Sequence, residues 1–192
     1  MKKTILLLFL IISFRICIAQ QLEKPIIDSI SGNTSVSTKT DTLIKGADES
    51  LRYLGVNIYR KTLVKEGGVN YSLVFYIRTD KAILDIEPDF FNILKDSKAS
   101  IKFTDGTLLV LRANFDKTAN DCFLWAITKK HGIRGLRGYE AYEWYDLNLT
   151  DIDILKRKKI SFIKIETSPN PFIYEIESNN SEIIKNQLLL LK

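Results

Sequence analysis

The chain has 192 residues, with 28 basic and 23 acidic side chains and a formal net charge of +5. Three of those cations, Lys2, Lys3 and Arg15, fall in the first nineteen residues, so the remainder carries 25 basic against 23 acidic groups. A balance that close gives no electrostatic footprint for nucleic acid. With one histidine and two cysteines, the chain also lacks the ligand types that build common zinc sites.

Residues 1–19 read as an export signal. Lys2 and Lys3 form a positive start, Thr4 to Phe14 an apolar core, and Cys17-Ile18-Ala19 a cleavage site before Gln20. The core is much shorter than the roughly 20 residues that span a bilayer, so no transmembrane span is expected after cleavage. Location is therefore expected to be periplasmic, cell-surface or secreted. Cys122 is the one cysteine left, which rules out an internal disulfide. Its apolar run CFLWAI predicts a buried thiol.

Residues 20–50 are expected to be a polar flexible tether, because SISGNTSVSTKTDT has no apolar period and little to bury. Residues 51–192 then read as a single β-rich domain. Val56 to Val64 and Tyr71 to Thr79 are rich in β-branched and aromatic residues and flank Lys65-Glu66-Gly67-Gly68, which predicts a hairpin. Ala82 to Ile86 suggests a short strand ended by Pro88. Phe90 to Asp96 reads as a turn or one helical turn.

Residues 99–115 (ASIKFTDGTLLVLRANF) predict a second hairpin. Ile101 and Phe103 alternate with polar neighbours, and Asp105-Gly106 suits a type I′ turn. The outgoing strand is apolar on both faces, which predicts a position inside a sheet, covered on both sides. Next, CFLWAIT at 122–128 and YEAYEWYDLNL at 139–149 are strand-like. Lys129 to Gly138 between them holds three glycines and reads as a loop.

Thr150 with Asp153 resembles a capping box, and Lys156 to Lys158 suit a helix C-terminus, so a short helix is expected near 150–158. Ile160 to Thr167 and Phe172 to Glu177 form strands around Ser168-Pro169-Asn170-Pro171. Ile184, Leu188 and Leu191 mark the inner stripe of a C-terminal helix. The fold class expected is α+β, mainly antiparallel β, sandwich-like or a meander sheet, with those two helices.

Lys102 to Thr107 (KFTDGT), Leu149 to Leu155 (LTDIDIL) and Ile160 to Ile165 (ISFIKI), in this order behind a signal and a polar stretch, resemble a loose group of uncharacterised exported proteins of Gram-negative bacteria. That resemblance covers about residues 50–192 and implies a β-rich exported domain. It implies no activity and no site.

Catalytic and metal residues are not expected. His131 reads as a solvated loop residue, Glu140 and Glu143 sit on opposite faces of one strand, and Asp151 and Asp153 serve a helix start. Aromatics on the strand 139–149 beside the basic loop suggest a ligand-binding surface of Lys129, Lys130, Arg134, Arg137, Tyr142 and Trp144. Alternation puts Tyr139 and Tyr145 on the face opposite Tyr142 and Trp144, so one pair faces the core and the other solvent. Suitable partners are an anionic glycan, a lipid headgroup or an envelope protein, with no cofactor. The expected role is a non-enzymatic binding or structural protein of the cell envelope. The alternative is a hydrolase of envelope material using a carboxylate pair.

Overall fold

A computed structural model describes residues 22–45, 50–82, 90–128 and 132–191. The signal expected at 1–19 lies outside them, as do Lys129, Lys130 and His131 and nearly all of the strand expected at 82–86. The fold is α+β and mainly antiparallel, with two helices. The strands are β1 (Ile26–Ile27), β2 (Thr34–Ser37), β3 (Asp41–Lys45), β4 (Ser50–Leu63), β5 (Gly68–Ala82), β6 (Asn92–Ile93), β7 (Lys98–Phe103), β8 (Leu108–Arg112), β9 (Lys117–Thr118), β10 (Asn120–Thr128), β11 (Gly132–Leu147), β12 (Ile160–Ile165) and β13 (Phe172–Glu175). The helices are α1 (Leu149–Arg157) and α2 (Ile183–Leu190).

One sheet has the order β1-β2-β4-β5-β11-β10, with β3 also paired to β4; a second has the order β13-β12-β7-β8, and β6 pairs with β9. The inner faces of the two large sheets supply one continuous core, with Leu54, Val56, Leu73, Phe75 and Tyr145 from the first and Ile101, Phe103, Leu111 and Ile163 from the second. Phe75 and Tyr145 meet edge to face with ring centroids 5.7 Å apart. Ile184, Leu188 and Leu191 are buried in the same core, so the stripe predicted for the C-terminal helix does face inward. Helix α1 is capped two residues earlier than the Thr150 start suggested. Asn148 is the cap residue: its side-chain oxygen accepts the Asp151 N–H, and its own N–H donates to the Asp151 carboxylate.

Several expectations change. Residues 22–45 were expected as a tether, yet they form β1, β2 and β3 on the edge of the first sheet. Leu43 is buried in the core and Val36 and Ile44 pack against it, but most of their anchors are backbone pairs and polar staples. Thr38 donates its N–H to Ile58 O, and its hydroxyl accepts from Ile58 N–H, each at 2.9 Å. Gln187 Nε2 of α2 donates to Val56 O at 3.0 Å and to Asp41 at 2.7 Å, and Asn180 donates to Leu43 O at 2.9 Å. The sheet therefore starts before residue 51.

From Gly132 to Gly138 the glycine-rich stretch is strand rather than loop. Gly132, Gly135 and Gly138 pair with Thr128, Trp125 and Cys122 on β10. Pairing of the backbone suffices there, even though glycine gives a strand no side chain to pack. Cys122 is of intermediate exposure rather than buried.

The central hairpin forms as β7 and β8, but its turn is not type I′. Gly106 alone of the Asp105-Gly106 pair has positive φ, at 85°. Gly106 N–H bonds to Phe103 O, and Phe103 N–H bonds to Thr107 O. That is a type I turn followed by a glycine bulge. Strand β8 is also not interior. It pairs with β7 alone and ends the sheet, leaving Leu108 58% and Val110 43% exposed. Finally, Phe90 to Asp96 contains β6 and a turn in which Asp96 takes a φ of 67°.

Candidate functional site

The outer face of the first sheet is set by two registers. The β4–β5 turn closes at Gly67, whose φ is 66° and whose N–H bonds to Leu63 O. This places Tyr53 opposite Arg78, Gly55 opposite Tyr76, Asn57 opposite Val74 and Tyr59 opposite Ser72. On the other side of β5, Arg78 faces Glu140, Tyr76 faces Tyr142, Val74 faces Trp144 and Ser72 faces Asp146. Alternation turns the intervening residues, including Leu54, Val56, Phe75 and Tyr145, into the core.

The aromatic side chains of these rows contact one another. Tyr76 and Tyr142 stack with centroids 4.5 Å apart and planes at 24°. Tyr53 meets Tyr76 edge to face at 5.4 Å, and Tyr59 meets Trp144 in the same way at 5.0 Å. Gly55 lets Tyr53 lie across the strand: a Cβ there would stand 2.9 Å from the Tyr53 ring and 2.7 Å from Thr40. The Tyr53 hydroxyl is 3.0 Å from Thr42 Oγ1, and the Arg78 guanidinium lies 5.3 Å from the ring centroid. Beneath the rings Val74 is 1% exposed although it points away from the core.

Burial keeps the two stacked phenols of this face protonated. Tyr76 donates its hydroxyl proton to Glu140. Burial, reinforced by that hydrogen bond, holds the Tyr76 phenol above its ordinary pKa. Tyr142 is shifted the same way, by burial and by the nearby Glu140 charge. Both phenols therefore stay protonated at neutral pH. Tyr142 is half exposed, so a ligand can reach one side of the stack.

Of the residues expected to bind ligand, Tyr142 and Trp144 come together on this face. Tyr139 and Tyr145 lie on the other side of β11: Tyr145 is fully buried, and Tyr139 packs against the core and Phe90. Arg137 and Arg134 pair with Phe123 and Ala126 farther up β11. At about 3.4 Å per residue, Arg137 sits about 17 Å and Arg134 about 27 Å along the strand from Tyr142. Arg134 and Arg137 thus stand at intervals along a strand rather than in a loop, and Lys129 and Lys130 lie outside the described residues. Reading the sequence alone missed Tyr53, Tyr59, Tyr76 and Arg78. The signal of the last three was present, since the single turn at Gly67 aligns VNIYRKTLV with YSLVFYIRT, while Tyr53 lies just upstream of that segment.

The carboxylates do not converge. Glu140 faces outward against Tyr76, while Glu143 is fully buried on the core side. Glu143 Oε1 accepts the Trp144 N–H at 3.0 Å. Burial raises its pKa, offset in part by Lys117 and by the Trp144, Phe115 and Asn114 amides. An open cleft of about 340 Å³ lies between β8 and the end of β11, lined by Lys95, Asp96, Arg112, Asn114, Phe115 and Asp146. Its two cations and two anions balance. Among the described residues no group of three or more His, Cys, Asp or Glu could hold a metal ion, and no helix is long and apolar enough to cross a membrane. No protein-family model, curated protein or solved structure matches the chain.

Proposed function

We propose that this chain is an exported, non-enzymatic binding protein of the cell envelope, and that it holds a glycan on the aromatic face of the first sheet. The observation that carries the reading is the cluster of Tyr53, Tyr59, Tyr76, Tyr142 and Trp144 on the outward face of three neighbouring strands. Exposed aromatic rings with a polar edge suit ligands that are apolar on one side and wet on the other. A sugar ring has that character: its C–H face lies on an aromatic ring while its hydroxyls reach polar neighbours. Arg78 and Glu140 stand beside the rings to meet those hydroxyls.

Titration with acidic and neutral polysaccharides tests this, read by tryptophan fluorescence and calorimetry. Tyr142→Ala and Trp144→Ala should each weaken binding at least about tenfold, the loss of about 1.4 kcal/mol. Unchanged affinity in both variants, or no binding to any polysaccharide, would remove the glycan reading. Export itself rests on Lys2, Lys3, the apolar core and Cys17-Ile18-Ala19. Mass spectrometry of the protein recovered from the envelope should find Gln20 as its first residue.

A further inference from the structure

The second sheet has an outer face that the aromatic site does not use. Its cross-strand rows are Ile173, Lys164, Ser100 and Val110, and then Glu175, Phe162, Lys102 and Leu108. Lys98 and Arg112 form a further pair at one end. Leu108, Val110 and Ile173 are 58%, 43% and 52% exposed, and Lys98, Lys102 and Arg112 are exposed beside them. Four cations share this face with two carboxylates, Glu175 and Glu166, and the Glu166 carboxylate already accepts the Lys98 N–H at 2.9 Å.

We propose that this face docks on an anionic lipid bilayer surface. The charge argues for that occupant. Apolar side chains alternate with lysines across the strands, so each aliphatic group that enters the headgroup region has a cation next to it. Lysine and arginine lay their methylenes along apolar surface and keep the charge at the phosphate level. Basic residues with interleaved aliphatics are the chemistry that an anionic interface recognises. The position of β8 supports the same occupant. Its sequence is apolar on both faces, as for a covered strand, yet among the described residues nothing covers Leu108 and Val110. The aromatic face lies on the other side of the sandwich, so a docked molecule would leave it open to solvent.

Co-sedimentation of the purified protein with vesicles tests the proposal. Vesicles of mixed phosphatidylglycerol and phosphatidylcholine are compared with pure phosphatidylcholine. Binding should require phosphatidylglycerol and fall as salt rises, because surface charges are screened. Lys102→Glu and Lys164→Glu should each weaken binding by about fivefold or more, the value of one basic residue near an anionic surface. Leu108→Asp should weaken it as well. Lys65→Glu, in the β4–β5 turn, makes the same change in net charge elsewhere and should alter binding less than about twofold. Urea melts of each variant confirm that the fold is kept. No binding to anionic vesicles overturns the proposal. So does equal binding to both vesicle types, or an equal loss in Lys65→Glu, since either would put the contact elsewhere or make it a matter of net charge. A dimer in the ultracentrifuge that Leu108→Asp abolishes would also overturn it, because the face would then be occupied by a second copy of the chain.

Discussion

On the outer face of the first sheet, the rings of Tyr53, Tyr76 and Tyr142 touch one another, and Tyr59 touches Trp144. On the outer face of the second, Leu108, Phe162 and Ile173 are flanked across the strands by Lys102 or Lys164. Both faces come from the same antiparallel alternation. Aromatic pairs contribute roughly 0.5–1.5 kcal/mol each beyond the area they bury, so the first face helps to hold the sheet together. Exposed lysine and aliphatic neighbours contribute little to folding. The first face would therefore couple the proposed glycan binding to stability, and the second leaves its residues open to other uses.

The largest expected effect lies beneath both faces. Leu188 of α2 is 2% exposed in the shared core, and Leu188→Ala should cost about 2–5 kcal/mol including the cavity. A urea melt reads this directly. Lys185 of the same helix pairs with Glu182 at its surface, 3.2 Å away, and Lys185→Ala should cost less than about 0.5 kcal/mol. If the two variants melt alike, α2 does not close the core.

Next in size is the aromatic face itself. Tyr76→Ala removes two ring contacts and the partner of Glu140, and should cost about 1–3 kcal/mol. The matching change on the other face, Leu108→Ala, should stay within about 0.5 kcal/mol. Equal costs in urea would erase the difference between the two faces.

Glu143 offers a pH test on the core side of the same strand. Its carboxyl is held above the ordinary value by burial, so the folded state binds a proton more tightly than the unfolded chain does. The resulting stability is fully present below the unfolded pKa and is lost as pH rises through the folded one. Urea midpoints of the wild type should therefore fall across that window relative to those of Glu143→Gln, which has no carboxyl to ionise. Parallel pH profiles for the two proteins would show that Glu143 is solvated when folded. The smallest effect is expected for Lys102→Ala, under about 0.5 kcal/mol in urea, although Lys102→Glu is expected to cut vesicle binding sharply.

Local chemistry in the sequence determined both helices and most of the strands, though not those at 26–45 or the glycine-rich start of β11. Alternation in YEAYEWYDL sends Tyr145 inward and Tyr142 outward, Gly106 closes the β7–β8 hairpin, and the Ile184, Leu188 and Leu191 stripe buries α2. Each of these depends on residues a few positions apart. Tertiary structure decided what sits beside what. Residues 22–45 carry no apolar period, and only the open edge of β4 with Gln187 and Asn180 from the far end of the chain makes them part of the sheet. The aromatic cluster needs β5 to lie between β4 and β11, which puts Tyr53 and Tyr142 on one surface from 89 positions apart in the chain. Strand β8 looks interior by composition, but the number of strands in its sheet leaves it at the edge. Periodicity reports which face of a strand is apolar, while the strand's neighbours decide whether that face is covered.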